Sequence, residues 1–199
     1  ETAKMHKGDQ TNLELWRKFM PLCLGEIDLV YQRLGVRFDH TYGESFYQPF
    51  LNKVVQDLSA SGLARESEGA LAIFLTEDAT PALVRKSDGA FTYMTTDLAT
   101  IQYRVEQWKP DAILYVVDSR QSLHFSQLFQ IAQQWLGQQT RLEHISFGSV
   151  LGADRKPIKT RSGDAVASLD QLLDEAVRLA KEVYQAAYHQ EGETQSKES

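Results

Sequence analysis

The sequence predicts an α/β fold in which a parallel β-sheet carries helices on its faces. Residues 112–117 form an unbroken apolar run, which is typical of a parallel strand buried on both faces. An amphipathic helical segment at 123–136 follows, and a second candidate strand at 144–150 completes a β-α-β unit. Ligands of such sheets bind beyond the carboxyl ends of the strands, so the loops after these two strands are the first candidate sites.

Periodicity and turn residues predict the remaining elements. Apolar residues recur at helical spacing in four further segments, 12–34, 49–61, 98–108 and 169–188. Gly35 is a plausible stop for the first of these helices, and Pro21 could kink or divide it. Short apolar runs predict strands at 36–38, 71–75 and 91–94. The Asp88-Gly89 pair between apolar runs indicates a hairpin turn.

Composition limits the classes of function. The chain has 199 residues, of which 42% are hydrophobic, enough for a sizeable core. A net charge of -6 argues against a non-specific nucleic-acid binder, which usually carries a basic excess. No apolar run reaches the ~18 residues of a membrane span. The single cysteine, Cys23, suits a reducing cytoplasm, and its apolar neighbours predict a buried, inert thiol.

The first candidate constellation is Tyr93-x-Thr95-Thr96-Asp97, between a predicted strand and a predicted helix. Asp97 at such a turn commonly serves as an N-cap. The functional alternative is recognition of a cationic ligand by Asp97, with the Tyr93 ring packed against it. A planar guanidinium suits both contacts, through paired hydrogen bonds and through face stacking.

The second constellation follows the strand at 112–117. Gln121 and His124 are three residues apart near a predicted helix start and can share one face. Helix N-termini attract phosphates and carboxylates. The structural alternative makes Asp118 or Ser122 a cap and His124 a satisfied polar residue. No spacing of His, Cys or carboxylate residues suggests a metal site.

The third constellation is the loop 152–163, which has glycine at both ends and a cluster of cations that includes Lys156, Lys159 and Arg161. Such a loop can close over a triphosphate and stabilise charge that develops in phosphoryl or nucleotidyl transfer. The alternative is a solvated surface loop. The glycine spacing of a Walker P-loop is absent.

Several segments resemble, in order and spacing, the arginyl-tRNA synthetases, a family of class I aminoacyl-tRNA synthetases. They lie at 34–39, 43–47, 85–89, 93–99, 114–121, 147–152, 159–163 and 172–176. The resemblance implies the second half of a Rossmann-like catalytic domain at 84–189, with 152–163 as a KMSKS-like loop. Residues 1–83 would belong to an α+β connective insertion, and the polar residues 190–199 to a disordered tail.

The resemblance also implies a reaction. Arginine is activated by ATP to arginyl-adenylate and then transferred to tRNA(Arg), in the cytoplasm and without a membrane partner. ATP would be a substrate, with Mg²⁺, and no cofactor would be tightly bound. Tyr93 and Asp97 would hold the arginine side chain, and Gln121 would lie near the arginine and the adenylate.

The remaining implied roles concern the nucleotide. His124, Lys159 and Thr160 would contact it, and Lys156, Lys159 and Arg161 would stabilise the reacting phosphates. The second lysine of the class I signature falls at Thr160, so the cation that replaces it is open.

Two features of the family are missing from this sequence, which contains no His-x-Gly-His signature and no anticodon-binding helical domain. We therefore expect little or no aminoacylation from this chain alone. Two alternatives stay open. One is a truncated synthetase-like paralogue that acts as a non-catalytic binding or regulatory protein. The other is a different class I-like nucleotidyl-transfer protein.

Overall fold

The computed structural model describes residues 4, 8–76, 80–137, 139–148, 151 and 169–195, with side chains given as far as 186. Contacts divide the chain into two compact units. One comprises Glu1–His40 and Lys159–Ser199, and the other comprises Thr41–Ile158. The boundary that we predicted between residues 83 and 84 falls inside a strand of the second unit.

The first unit contains a long helix, α1 (Gln10–Leu34). Asp9 caps it by accepting the backbone N–H of Asn12 at 2.9 Å. Gly35 ends it in the left-handed conformation, with φ 68°, as expected. Pro21 lies within the helix and does not divide it. Residues 36–38 form no strand, and Cys23 is exposed, so both of those predictions are wrong.

Three charged residues join α1 to the last helix of the chain, which belongs to the same unit. The Arg33 guanidinium lies 2.9 Å from Asp170 and 2.7 Å from Asp174. That helix runs over Leu169–Gln195. It therefore continues into the segment from 190 that we expected to be disordered.

The second unit begins with a short helix, α2 (Glu44–Tyr47), a 3₁₀ turn (Gln48–Phe50) and α3 (Leu51–Ala60). Three antiparallel strands follow in spatial order, β1 (Ala64–Ser67), β2 (Ala70–Ile73) and β3 (Ala82–Arg85). The apolar face of α3 is fully buried against this sheet and the next helix, which fixes the core of this part.

A turn at 86–89 follows β3, as predicted, with the Gly89 N–H donating to the Lys86 carbonyl at 2.9 Å. The predicted strand at 91–94 is wrong. Phe91 forms a single bridge to Arg85, and α4 (Tyr93–Trp108) begins two residues later. The predicted helix at 98–108 thus starts five residues earlier, because hydroxyl contacts to β3 hold its first turn.

The predicted β-α-β unit is confirmed. Strands β4 (Ala112–Asp118) and β5 (Arg141–Phe147) pair in parallel, and α5 (Ser122–Leu136) connects them after a 3₁₀ turn (Ser119–Gln121). The last helix, Leu169–Gln195, is α6. The second strand starts three residues earlier than predicted. One sheet face packs on α5, where Leu128 and Ile131 are fully buried.

The other face of this sheet differs from the prediction of a strand buried on both sides. Within the described chain, four of its large apolar side chains are exposed: Leu114, Val116, Ile145 and Phe147. The apolar composition of the strand indicated burial correctly for one face only. Among the described residues, no helix is long and apolar enough to cross a membrane.

Candidate functional site

Two threonines fix the start of α4 against β3. Thr92 is the N-cap residue by position, but its hydroxyl donates back to the carbonyls of Leu83, at 2.5 Å, and Val84, at 3.2 Å. The hydroxyl of Thr95, which is fully buried, also donates to the Val84 carbonyl. The first turn of α4 is thereby attached to the sheet.

This attachment sets the direction of Tyr93 and Asp97. They are four residues apart on α4 and so lie on one face of the helix. The Tyr93 ring is 73% exposed, while the Asp97 side chain is 32% exposed. Because Thr92 occupies the N-cap position, the alternative that Asp97 caps this helix is wrong.

Asp97 is paired with His124, the third residue of α5. The Nε2 atom of His124 lies 2.7 Å from Oδ2 of Asp97, and its side chain is 26% exposed. The His124 ring also meets Phe125 edge-on, with 5.3 Å between the ring centroids. Within the described part of the chain, no hydrogen bond reaches the second oxygen, Oδ1, of Asp97.

The turn between β4 and α5 is organised by Asp118. Its carboxylate accepts the backbone N–H of Arg120 at 2.8 Å and two guanidinium contacts of the same residue at 2.9 Å. The structural alternative, a capping role for Asp118, is therefore confirmed. Gln121 ends the 3₁₀ turn and is exposed, and among the described residues it makes no hydrogen bond to Asp97 or His124.

A buried polar pair lies further along α4 and was missed by the sequence analysis. Nε of Arg104 and the hydroxyl of Tyr115 are both buried. The Arg104 guanidinium is 5.6 Å from the centre of the Tyr115 ring. Burial raises the pKa of Tyr115 well above its usual range, and the negative charge of Asp97 adds to this while Arg104 opposes it. Arg104 falls two helical turns after Asp97, which is the spacing that could have revealed it.

The structure does not describe the predicted phosphate-binding residues. Lys156, Lys159, Thr160 and Arg161 all lie outside the described residues. Among those that are described, no group of three or more His, Cys, Asp or Glu side chains could hold a metal ion.

The arrangement around Asp97 is suited to a cationic ligand. An oriented carboxylate with one oxygen available lies on the same helix face as an exposed aromatic ring. A carboxylate and an aromatic face together favour a planar cation over an ammonium group, because the guanidinium can donate in its plane and stack with its face.

Comparison with known sequences gives the family. The model of the catalytic domain of class I (R) tRNA synthetases matches residues 2–195. The arginine--tRNA ligase of Rhodopirellula baltica is 51% identical over 92% of this chain and 27% of that protein. The arginine--tRNA ligase of Psychromonas ingrahamii is 43% identical over 91% of this chain and 33% of that protein. This chain therefore spans about a third or less of the length of these relatives.

Solved structures that superpose on this chain are also arginyl-tRNA synthetases. The arginyl-tRNA synthetase of Plasmodium falciparum superposes with a TM-score of 0.77 at 26% identity, covering 94% of this chain and 31% of its own. The arginyl-tRNA synthetase of Thermus thermophilus, at 21% identity and a TM-score of 0.52 over 68% of this chain, shows the fold alone. A non-catalytic binding protein is not favoured by these relatives. The chain belongs to the class I arginyl-tRNA synthetase family and corresponds to part of its catalytic domain.

Proposed function

We propose that this chain supplies the arginine side-chain site of an arginine–tRNA ligase. The observation that carries the proposal is the placement of Asp97 and Tyr93 on one face of α4, next to the N-terminus of α5. Asp97 would receive the guanidinium of L-arginine through Oδ1, and the Tyr93 ring would cover it. Gln121, exposed at the same end of the parallel sheet, would contact the substrate beyond the guanidinium.

The reaction has two steps. The arginine carboxylate attacks the α-phosphorus of ATP, which forms arginyl-adenylate and releases pyrophosphate, and a ribose hydroxyl of tRNA(Arg) then displaces AMP. Catalysis rests on positioning and on electrostatic stabilisation of the pentavalent phosphorus. ATP would enter with Mg²⁺ as a substrate complex. Four residues of the loop would offset its phosphate charge or contact the nucleotide: Lys156, Lys159, Thr160 and Arg161. They lie outside the described residues.

The domain assignment is part of the same proposal. Residues 84–189 would be the second half of the Rossmann-like domain, and residues 1–83 part of the connective insertion. Support for the Rossmann-like part comes from the parallel pairing of β4 and β5, whereas β3 spans the proposed boundary. The sequence holds no His-x-Gly-His signature, so we propose that the 199 residues alone give no arginine-dependent pyrophosphate exchange. Robust exchange by the purified chain would contradict this.

Replacing Asp97 with Asn tests the arginine site, because the shape is kept and the charge is lost. Loss of one partner of a desolvated guanidinium–carboxylate pair costs about 3 kcal/mol or more. The arginine KM of the protein expressed from its complete reading frame should therefore rise roughly 150-fold. The ATP KM should stay within about twofold, since Asp97 faces the amino acid and not the nucleotide.

Glu106→Gln is the matched control. Glu106 is exposed on the same helix, about 13 Å further along its axis, and the substitution removes the same charge. It should leave both KM values unchanged. An arginine KM that is unaffected by Asp97→Asn, or affected equally by Glu106→Gln, would refute the assignment of the arginine site.

A further inference from the structure

We propose that His124 is the positioning residue of the arginine site, fixing the carboxylate of Asp97 so that one oxygen faces the substrate. The inference rests on the proposed function, because it takes Asp97 as the group that receives the guanidinium. It assigns His124 to amino-acid selection and differs from the nucleotide contact that the family resemblance implies.

The geometry defines the hydrogen bond. The 2.7 Å separation between Nε2 of His124 and Oδ2 of Asp97 is that of a charge-assisted hydrogen bond. An ionised carboxylate can only accept, so the proton lies on Nε2 of the imidazole. Oδ2 thereby already accepts one hydrogen bond, and Oδ1, which accepts none among the described residues, is the more open oxygen for an incoming cation.

Neighbouring contacts restrain both Asp97 and His124, which limits the orientations that the two side chains can adopt. Asp97 is on the helix that Thr92 and Thr95 attach to β3. His124 is in the first turn of α5, where the Phe125 ring, buried in the core, meets its edge. The two helices pack against each other directly. The carboxylate is therefore oriented before the substrate arrives, which reduces the side-chain entropy lost on binding.

Asp97 engages Nε2 of His124, so a direct contact with the nucleotide would have to use the other ring nitrogen, Nδ1. A positioning role for His124 and a direct nucleotide contact by His124 also differ in the kinetic constant that each would change. A residue that orients Asp97 affects arginine binding alone, whereas a nucleotide contact affects the ATP KM.

The test measures dissociation constants of L-arginine by calorimetry, and of ATP in parallel, on the protein expressed from its complete reading frame. His124→Ala should weaken arginine binding about 3- to 10-fold, the usual effect of losing one ordered side chain, and leave ATP binding unchanged. His124→Gln places an amide N–H near the former Nε2 and should restore most of the affinity. His124→Asn is one carbon shorter and should not.

His144→Gln is the matched control. The His144 ring packs against Phe125, with 4.7 Å between the ring centroids, and its Nε2 atom lies 3.0 Å from the Val117 carbonyl oxygen. Among the described residues, His144 makes no hydrogen bond or ion pair with Asp97, so its replacement should leave arginine binding unchanged. The comparison of the Gln and Asn variants at His124 keeps the test decisive if the Ala variant does not fold.

A double-mutant cycle measures whether His124 acts through Asp97. If His124 acts through Asp97, adding His124→Ala to Asp97→Asn should weaken arginine binding no further. Additive losses, or a loss confined to ATP, would overturn the inference while leaving the proposed arginine site intact. If Asp97→Asn itself leaves arginine binding unchanged, the proposed function fails and the inference fails with it.

Discussion

The hydroxyl of Thr95 provides a quantitative test of how the arginine site is supported. Thr95 is fully buried, and it donates to the Val84 carbonyl from the first turn of α4. Thr95→Val keeps the volume and the branched shape of the side chain and removes only this donor. The Val84 carbonyl still receives the N–H of Thr92 at 3.3 Å, so it is not left without a hydrogen bond.

The expected cost follows from that remaining contact. Loss of one neutral hydrogen bond lowers the free energy of unfolding by about 1 kcal/mol, whereas an orphaned buried carbonyl would add about 1–3 kcal/mol more. Thr95→Ala also removes a buried methyl group and leaves a cavity, so it should cost about 2 kcal/mol in total. The two substitutions thus separate the contribution of the hydroxyl from that of the methyl group.

Urea unfolding followed by far-UV circular dichroism measures both variants, with Thr96→Val as the control. The Thr96 hydroxyl makes only a 3.5 Å contact to the Thr92 carbonyl, and its loss should change stability by less than about 0.5 kcal/mol. A Thr95→Val variant as stable as the parent would show that the hydroxyl contributes nothing. A loss above about 3 kcal/mol would show that Thr92 does not satisfy the Val84 carbonyl, and either result would refute the reasoning.

Three further predictions follow from burial, backbone conformation and titration. Leu128→Ala in α5 should lower the free energy of unfolding by about 2–5 kcal/mol because the side chain is fully buried. Leu123 on the same helix is 66% exposed, so Leu123→Ala should lower it by less than about 1 kcal/mol, and calorimetric melting of the two variants measures the difference. Lys109, directly after α4, and Gly137, directly after α5, both adopt the left-handed conformation that favours glycine, with φ 47° and φ 57°. Lys109→Gly should therefore raise the free energy of unfolding by about 0.5–1 kcal/mol, and Gly137→Ala should lower it by a similar amount, as measured by urea titration. Because burial raises the pKa of Tyr115, the unfolded chain releases that proton above pH ~10 while the folded chain retains it, so stability falls as pH rises further. Tyr115→Phe should reduce the loss of stability between pH 8 and pH 10.5, and an unchanged loss would contradict the assignment.

The sequence determined the local structure where the signal is itself local. The apolar run at 112–117 and the helical period after it were enough to predict β4, α5 and the parallel pairing with β5. Gly35 ended its helix because a left-handed residue without a Cβ suits that position. The assignment of Tyr93 and Asp97 to a guanidinium site, made from their residue types and spacing together with the family resemblance, stays a prediction.

The start of α4 could not be predicted from the sequence. The pattern at 91–94 resembled a returning strand, and the helix forms there because the hydroxyls of Thr92 and Thr95 donate to β3 carbonyls. Those acceptors lie eight to eleven residues earlier in the chain, so no local propensity contains them. The predicted burial of Cys23 was wrong for the same reason. Its apolar neighbours in the sequence do not show which side of the helix is covered by other elements.

The sequence by itself determined the family, the parallel α/β unit and the residue types that can bind a guanidinium. Only the tertiary structure decided which of those residues meet. His124 and Asp97 are 27 residues apart and come together because their two helices pack against each other. Gln121, three residues before His124, makes no hydrogen bond to either side chain among the described residues. A hydrogen bond depends on distances of a few tenths of an ångström between side chains on separate elements, and neither composition nor periodicity fixes distances of that kind.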